Sequence, residues 1–600
     1  MITLRITSAK KTLCYKKANV METDFLPPHL RKYVVEQHYE KYTPIDQSVW
    51  RYILRQLKSY LSKHAHESYV EGLSKTGISV ERIPRIEEIS NKLKEFGWRA
   101  LPVSGFIPPA AFMELQSLGV LPIASDMRSI DHLLYTPAPD IVHEAAGHAP
   151  ILIQPEFAEY LRQYAQVAKK AILSKEDLDM YEAIRELSDL KENPGSTAEQ
   201  IKAAELKLET VSKNTTHVSE AAELGRMNWW TAEYGLIGTL DNPKIFGAGL
   251  LSSKGESQAC LKPNVKKIPL SVECIKQGYD ITEQQPQLFV TPDFKTLVRV
   301  LNEMADQMAF RVGGLKGLNK AIEAQSVNSA ELSSGIQISG QIIEAITDSA
   351  QNVAYLRLQG PSQLSFKDKQ LPGHDKSYHA HGFGTPVGFL KDYPAKDPSN
   401  LTRSEWADIG VEIGSKSRME FASGVFVTGT VKGMTVIEGK TLLLSLTDAK
   451  AEFQGRILFD PSWGQYDMAL GAKVTSVFGG PADREAYGET EDFVAKRVPA
   501  PHYQPEELKL HTQYGRLREL REKNIQGAEL EKSLSELLSN HDKDFPQDWL
   551  LRLEALELTK ARLSNSALLA KLEKDLQGLA GKDETTKNLI HDGIALSGNL

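Results

Sequence analysis

Between Gln47 and Leu61 the apolar residues Trp50, Ile53, Leu57, Tyr60 and Leu61 recur three or four positions apart, with polar residues between them. That spacing predicts an amphipathic helix whose apolar stripe faces a core. From residue 171 to 227 the chain is rich in Glu, Lys and Ala at helical period, breaks at Asn193-Pro-Gly, and restarts at Ser196, three residues ahead of Glu199. A serine followed by an acid at that distance is a capping box, so a protruding helical hairpin is expected over 171–227. Its charged faces are solvated or serve as an arm for a partner. Past about residue 325 the texture changes. Short β-prone runs at 336–338, 353–358, 425–431, 435–437, 442–446 and 457–459, separated by glycine-bearing turns, predict a small all-β barrel or sandwich over 326–495. Pro499-Ala-Pro501 to Pro505 reads as a linker, and 506–600 as amphipathic helices, one of them carrying Trp549, Leu553 and Leu556. Two uses fit these helices: joining subunits into a homo-oligomer, or packing on the β-rich part. Their heptads are too irregular for a coiled coil.

Length and composition narrow the class. A chain of 600 residues exceeds what one core usually serves, so an α+β multidomain protein is expected: a basic tail over 1–23, a mainly α-helical domain over 24–325, the small all-β domain, and the C-terminal helical region. A formal charge of -7 with acids and bases intermixed gives no reason to expect nucleic acid or an anionic membrane as partner. Cys14, Cys260 and Cys274 are too few and too scattered for a disulfide framework or a thiolate metal site, which fits a reducing compartment. No apolar run approaches the ~18 residues that span a bilayer. A cytoplasmic protein is expected. Residues 1–20 carry several Lys and Arg, no acid, and no apolar block of the secretory kind. They read as a basic tail, with a transit peptide or translation from Met21 as alternatives.

The candidate chemistry begins at Tyr135-Thr-Pro-Ala-Pro-Asp-Ile-Val-His143-Glu144-Ala-Ala-Gly147-His148-Ala-Pro150, where two histidines stand five positions apart. In the zinc-peptidase pattern the step is four, which puts both rings on one helical face. Five residues of regular helix turn about 500° and rise roughly 7.5 Å, so the rings would diverge by about 140°. The helix must therefore deform or end between them. Gly147 suits an ending in the left-handed conformation, Pro150 discourages continuation, and Asp140 is placed to cap the start. Two neutral nitrogens hold a divalent ion poorly. The best third ligand is Glu233, a lone carboxylate in the apolar-aromatic run Asn228-Trp-Trp-Thr-Ala-Glu233-Tyr-Gly-Leu, where burial is costly unless a cation or proton is bound. Two histidines and one carboxylate form the facial triad of non-haem Fe(II) oxygenases. The competing reading makes one histidine a packing residue and Glu233 an ordinary helix acid.

Three runs in order, Tyr135 to Pro150, Trp229 to Leu236, and Phe246-Gly-Ala-Gly-Leu-Leu-Ser252-Ser-Lys-Gly-Glu256, resemble the pterin-dependent aromatic amino acid hydroxylases. The resemblance spans residues 24 to 320, which makes 24–325 the catalytic domain. It implies Fe(2+) held by His143, His148 and Glu233, and a tetrahydropterin as cofactor: tetrahydrobiopterin or a related reduced pterin or folate. Arg128 would hold the carboxylate of a free aromatic amino acid, a task that suits a bidentate guanidinium, with Tyr135, Thr136 and Ser252 around it. Pro139 and Trp229 would wall the ring pocket. Gly105, Phe106 and Ile107 would face the pterin edge, Phe112 would stack on it, and Glu144 would reach it through water or orient the metal's surroundings. A Trp at 229 goes with the phenylalanine- and tyrosine-using branches. Tyrosine users carry an acid where this chain has Ile281, so the chain looks like a phenylalanine hydroxylase. Pro122 and Asn228 stand where many members have His and Tyr, and Pro109 replaces a small polar residue; all three lie on the cofactor side.

The leading expectation is thus an Fe(II)- and tetrahydropterin-dependent monooxygenase hydroxylating the ring of a free aromatic amino acid with O2, with L-phenylalanine to L-tyrosine as the first candidate conversion. Tryptophan or tyrosine hydroxylation, zinc-assisted hydrolysis with Glu144 as base, and an inactive scaffold whose C-terminal half binds partners are the alternatives. Outside the resemblance, His374, His379 and His381 cluster in a Gly-rich loop, a second metal candidate for which no acid sits at convincing spacing. Gly382-Phe-Gly384 is too common to mark a phosphate loop.

Overall fold

The computed structural model describes residues 23–103, 107–134, 140–192, 195–280, 283–488, 503–563, 567–581 and 583–598. The chain is mixed α+β. Its first half is organised around the helix Pro44–His64, which starts at a reciprocal capping box between Thr43 and Asp46. Trp50, Ile53, Leu57 and Leu61 are buried, as their spacing predicts, and join the core of the catalytic half.

The opposite face of this helix is not solvated. Arg51 is buried and pairs with Glu557, with Glu81 at 2.8 Å and with Glu554 at 3.8 Å. The Tyr52 hydroxyl donates to Leu589 O at 2.7 Å, and Arg55 donates to Leu596 O at 2.7 Å. Apart from Glu81, these partners belong to the C-terminal helices Leu550–Arg562 and Glu584–Leu596. Buried ions are tolerated because each faces an opposite charge across the contact. The region expected as a separate unit over 506–600 therefore shares one hydrophobic core with the catalytic half: Leu530, Leu534, Leu550, Leu553 and Leu556 sit in the same cluster as Trp50. Packing within the chain is one of the two expected uses of these helices, and among the described residues they pack against the helix Pro44–His64.

Residues 327–479 hold two antiparallel sheets. One contains Val327–Leu332, Ile336–Thr347, Val353–Phe366, Lys369–Gln370, Gly382–Pro386 and Val474–Gly479; the other contains Lys416–Glu420, Val425–Ile437, Lys440–Phe453, Arg456–Phe459 and Tyr466–Ala469. All six β-prone runs lie in these strands. The first sheet docks on the catalytic half through Ile172, Leu318 and Ala321, which share its core, and through Ser476, whose hydroxyl donates to Phe310 O at 2.9 Å.

The helices Lys175–Glu192 and Ala198–Asn214 pair as a hairpin, tied by Lys207 to Glu186 at 2.7 Å and Lys191 to Glu205 at 3.0 Å. The capping box sits one residue later than expected: Thr197 caps, and Gln200 returns the bond. Thr197 and Gln200 offer the same pair of groups at the same spacing, which sequence alone does not separate from Ser196 and Glu199. Among the described residues no helix is long and apolar enough to cross a membrane.

Candidate metal centre

The five-residue step between the histidines is resolved by a π-helix over Val142–His148. The Ala149 N–H reaches the Glu144 carbonyl, five residues back, and this widened turn returns residues five apart to one face. The His143 and His148 rings stand 5.0 Å apart between centroids, nearly perpendicular. Asp140 caps the start, its carboxylate accepting from His143 N at 3.1 Å. Gly147 does not end the helix in the left-handed region, as the sequence suggested, because the turn widens instead of stopping. A Cβ there would lie 2.6 Å from Ala248 O, so glycine is needed for close approach to the neighbouring segment. A second π turn, Trp229–Glu233, carries the third candidate, with Tyr234 N bonded to Trp229 O at 2.8 Å. Gly247 lets the next strand-to-helix connection pass beneath it, since a Cβ there would sit 2.4 Å from Glu233 O.

Glu233 faces both rings. Its Oε1 lies 3.2 Å from His148 Nε2 and its Oε2 3.4 Å from His143 Nε2. Arms of about 2.0–2.2 Å to one ion put neighbouring ligand atoms roughly 3 Å apart, so two imidazoles and one carboxylate fit a divalent metal here. Glu144 competes for the third place, since a carboxylate oxygen of it, His143 and His148 gather within 4.8 Å. Its Oε2 is farther, 4.0 Å from His148 Nε2. Burial pushes the Glu144 carboxyl up to about 8, with Glu233 and Asp140 adding to the rise and His148 opposing it. Burial also pushes Glu233 upward, but the His148 and His143 imidazoles outweigh it and hold that carboxyl far below the usual range. Glu233 is the acid that keeps its charge. Ser252 sets the tautomer of His143: its hydroxyl donates to Ala248 O at 2.7 Å and so accepts from Nδ1 at 3.0 Å, leaving the Nε2 lone pair for the ion.

Arg128 is buried beside this centre. Its Nε and Nη2 grip Asp140 at 2.7 and 2.8 Å, and the remaining nitrogen, Nη1, has no hydrogen-bond partner among the described residues. Arg128, His143, Trp229, Glu233, Ser252 and Tyr279 line one cavity of about 1290 Å³, above the ~300–1,000 Å³ usual for one small ligand. Trp229 is stacked between Tyr234 at 4.4 Å and Tyr279 at 4.2 Å. Tyr279 was not singled out from the sequence. Its only signal was an aromatic in a polar loop two residues before Ile281. Asp140 was read only as a cap, although it also orients Arg128.

Phe112 is half-buried against the Leu26, Leu30 and Tyr33 cluster, while its neighbours Ala111 and Met113 face the cavity. Ile107 is buried in the same cluster. Pro109 begins the helix Pro109–Ser117, Pro122 lies within the strand Val120–Ala124, and Asn228 lines the cavity. Gly105, Phe106, Tyr135, Thr136, Pro139 and Ile281 lie outside the described residues.

A model of the biopterin-dependent aromatic amino acid hydroxylase family matches residues 32–177 and 204–316. The phenylalanine-4-hydroxylase of Mesorhizobium japonicum is 30% identical over 269 residues, 44% of this chain and 81% of the relative. The chain belongs to the biopterin-dependent aromatic amino acid hydroxylases. That of Pseudomonas aeruginosa is 29% identical over 264 residues, 44% of this chain and 84% of the relative. A crystal structure of Chromobacterium violaceum phenylalanine hydroxylase with bound oxidised Fe(III) is 25% identical, covers 46% of this chain and 84% of its own, and has a TM-score of 0.36. The break in the family match, between 177 and 204, falls on the helical hairpin. Membership makes the chain a monooxygenase of aromatic amino acids that works with iron and a reduced pterin.

Proposed function

We propose that this hydroxylase converts free L-phenylalanine to L-tyrosine, with iron held by Nε2 of His143, Nε2 of His148 and the Glu233 carboxylate. The observation that carries the reading is the opening of this three-ligand centre, the Arg128 guanidinium and the Trp229 indole onto one cavity. Iron and the tetrahydropterin, when bound, supply oxygen activation and the electrons. The protein holds and orients. Arg128 offers Nη1 to the substrate carboxylate while Asp140 keeps the guanidinium from turning. Trp229, clamped by Tyr234 and Tyr279, walls the aromatic ring and excludes water. The family resemblance assigns Tyr135, Thr136 and Pro139 to the same substrate, and Ile281 in place of an acid suits an unsubstituted ring. The pterin takes the side walled by Pro108, Ala111 and Met113, and the family resemblance assigns Gly105, Phe106, Ile107, Phe112 and Glu144 to it. Tetrahydrobiopterin, another tetrahydropterin or a reduced folate each fits the description.

Phenylalanine is preferred over tyrosine and tryptophan because the relatives quoted above are named for it. The test is anaerobic enzyme with Fe(II), a reduced pterin and each aromatic amino acid in turn, followed by an oxygen pulse and mass analysis. Tyrosine from phenylalanine, faster than any product from the other two, is the expected result. A faster product from tryptophan or tyrosine moves the substrate assignment, and no oxygenated product from any of them overturns it.

Ser252 gives a quieter prediction. Ser252→Ala removes the acceptor for His143 Nδ1 without touching the three ligands. Iron affinity is expected to fall about 10–100-fold, the range outer partners of metal-bound histidines command. Iron retained after dialysis against graded chelator measures it, and parent-like retention shows that the hydroxyl does not set the tautomer.

A further inference from the structure

The β-rich half, which the family match does not reach, brings together two imidazoles and an acid that are far apart in sequence. His374 and His379 lie in the loop between the strands Lys369–Gln370 and Gly382–Pro386. Their Nδ1 and Nε2 atoms face each other at 3.1 Å. Asp467, on the strand Tyr466–Ala469 of the other sheet, is buried, and one of its oxygens lies within 4.8 Å of a ring nitrogen of each histidine. His381, the third histidine of the loop, is exposed and takes no part. The acid that sequence spacing did not offer arrives from about ninety residues downstream, carried by sheet pairing.

The surroundings are built around that acid. Asp467 Oδ1 accepts from Ser445, its cross-strand partner, at 2.6 Å and from Gln465 at 3.0 Å, and Oδ2 accepts from the Tyr378 hydroxyl at 2.9 Å. A carboxylate has about four acceptor positions, so one remains, on the oxygen shared with Tyr378. The loop is pinned to the strand Val353–Phe366 by Leu364 N to His374 O and by Ser362 N to His379 O, both at 3.1 Å. Phe383 meets the His379 ring edge-on at 5.2 Å. The rings are thus held before any ligand arrives.

We propose that His374 Nδ1, His379 Nε2 and Asp467 form a second metal site, for a divalent first-row ion of the zinc class. Zinc–nitrogen arms of about 2.0–2.1 Å place two ligand nitrogens roughly 3.3 Å apart in a tetrahedron, close to the spacing seen here. Asp467 offers the third arm from within 4.8 Å. Imidazole with carboxylate and no thiolate suits zinc, cobalt or nickel better than calcium or magnesium. Hydrogen bonds to the ligating carboxylate are the usual outer support of such a site. The ion ties a loop of one sheet to a strand of the other, so it braces the β-rich half independently of the catalytic iron. The rival explanation is a plain hydrogen bond between two histidines, which needs no acid and no ion.

The test is metal analysis of the full-length iron-loaded enzyme, equilibrated with zinc and passed through a desalting column. One iron and one further ion per chain are expected. His374→Ala and Asp467→Asn are each expected to lower occupancy of the second ion at least tenfold while the iron stays, and the retained iron certifies the fold. Wild-type protein carrying iron alone with zinc in excess, or variants that keep the second ion, overturns the site in favour of the hydrogen bond. Should a variant fail to fold, the wild-type protein decides alone. Co2+ added after the iron site is filled must give the visible absorption of a low-coordinate site with imidazole ligands, and a featureless spectrum overturns the proposal.

Discussion

Glu233→Gln is expected to abolish turnover and to weaken iron binding beyond the ~10–100-fold that loss of an outer partner costs. An amide keeps the shape of the carboxylate but removes its charge, and two neutral imidazoles hold a divalent ion poorly. Iron content after purification and product per enzyme together read the effect. A variant that still purifies with iron and turns over like the parent would transfer the third place to Glu144, the nearest other acid, at 4.0 Å from His148 Nε2. Glu144→Gln is the control, expected to keep its iron.

Arg128→Ala is expected to fail in two ways at once. Asp140 would be left buried without its guanidinium, and breaking a buried pair from one side costs about 3–5 kcal/mol. The same carboxylate holds His143 N at 3.1 Å, so the disturbance reaches the metal-bearing turn. Denaturant unfolding reads the first effect. Arg128→Lys separates the second: it keeps the charge but cannot hold Asp140 with two nitrogens and present a third. Its KM for phenylalanine is expected to rise about tenfold or more, a factor that corresponds to roughly 1.4 kcal/mol of lost carboxylate binding, with iron content unchanged. An unaltered KM in the folded lysine variant removes Arg128 as the anchor.

The three candidate ligands stood out in the sequence because their chemistry is rare in their setting: an acid among tryptophans and two histidines at an unusual step each demand an explanation. The deformation between the histidines followed from helical geometry, but its form did not. A wide turn and a helix end satisfy the same spacing, and Gly147 fits both; only the backbone packing against Ala248 decides. Tyr279 stayed hidden because its role depends on a loop folding back over Trp229, and nothing local marks that. The burial of the Arg51 face of the first long helix was hidden for a related reason. Charged residues on a helix read as solvated unless their partners are known, and here the partners lie some five hundred residues away on another helix. His374 and His379 were visible as a pair, whereas Asp467 reached them only through the register of two strands.

The helix Pro44–His64 is gripped on one flank by the oxygenase and on the other by the tail of the same polypeptide. Shortening the gene at residue 316, where the family match ends, would strip that helix of its outer cover and leave Arg51 with the half-exposed Glu81 in place of the buried Glu557 and Glu554. The minimal working enzyme of these shorter relatives is therefore not recoverable from this one by truncation.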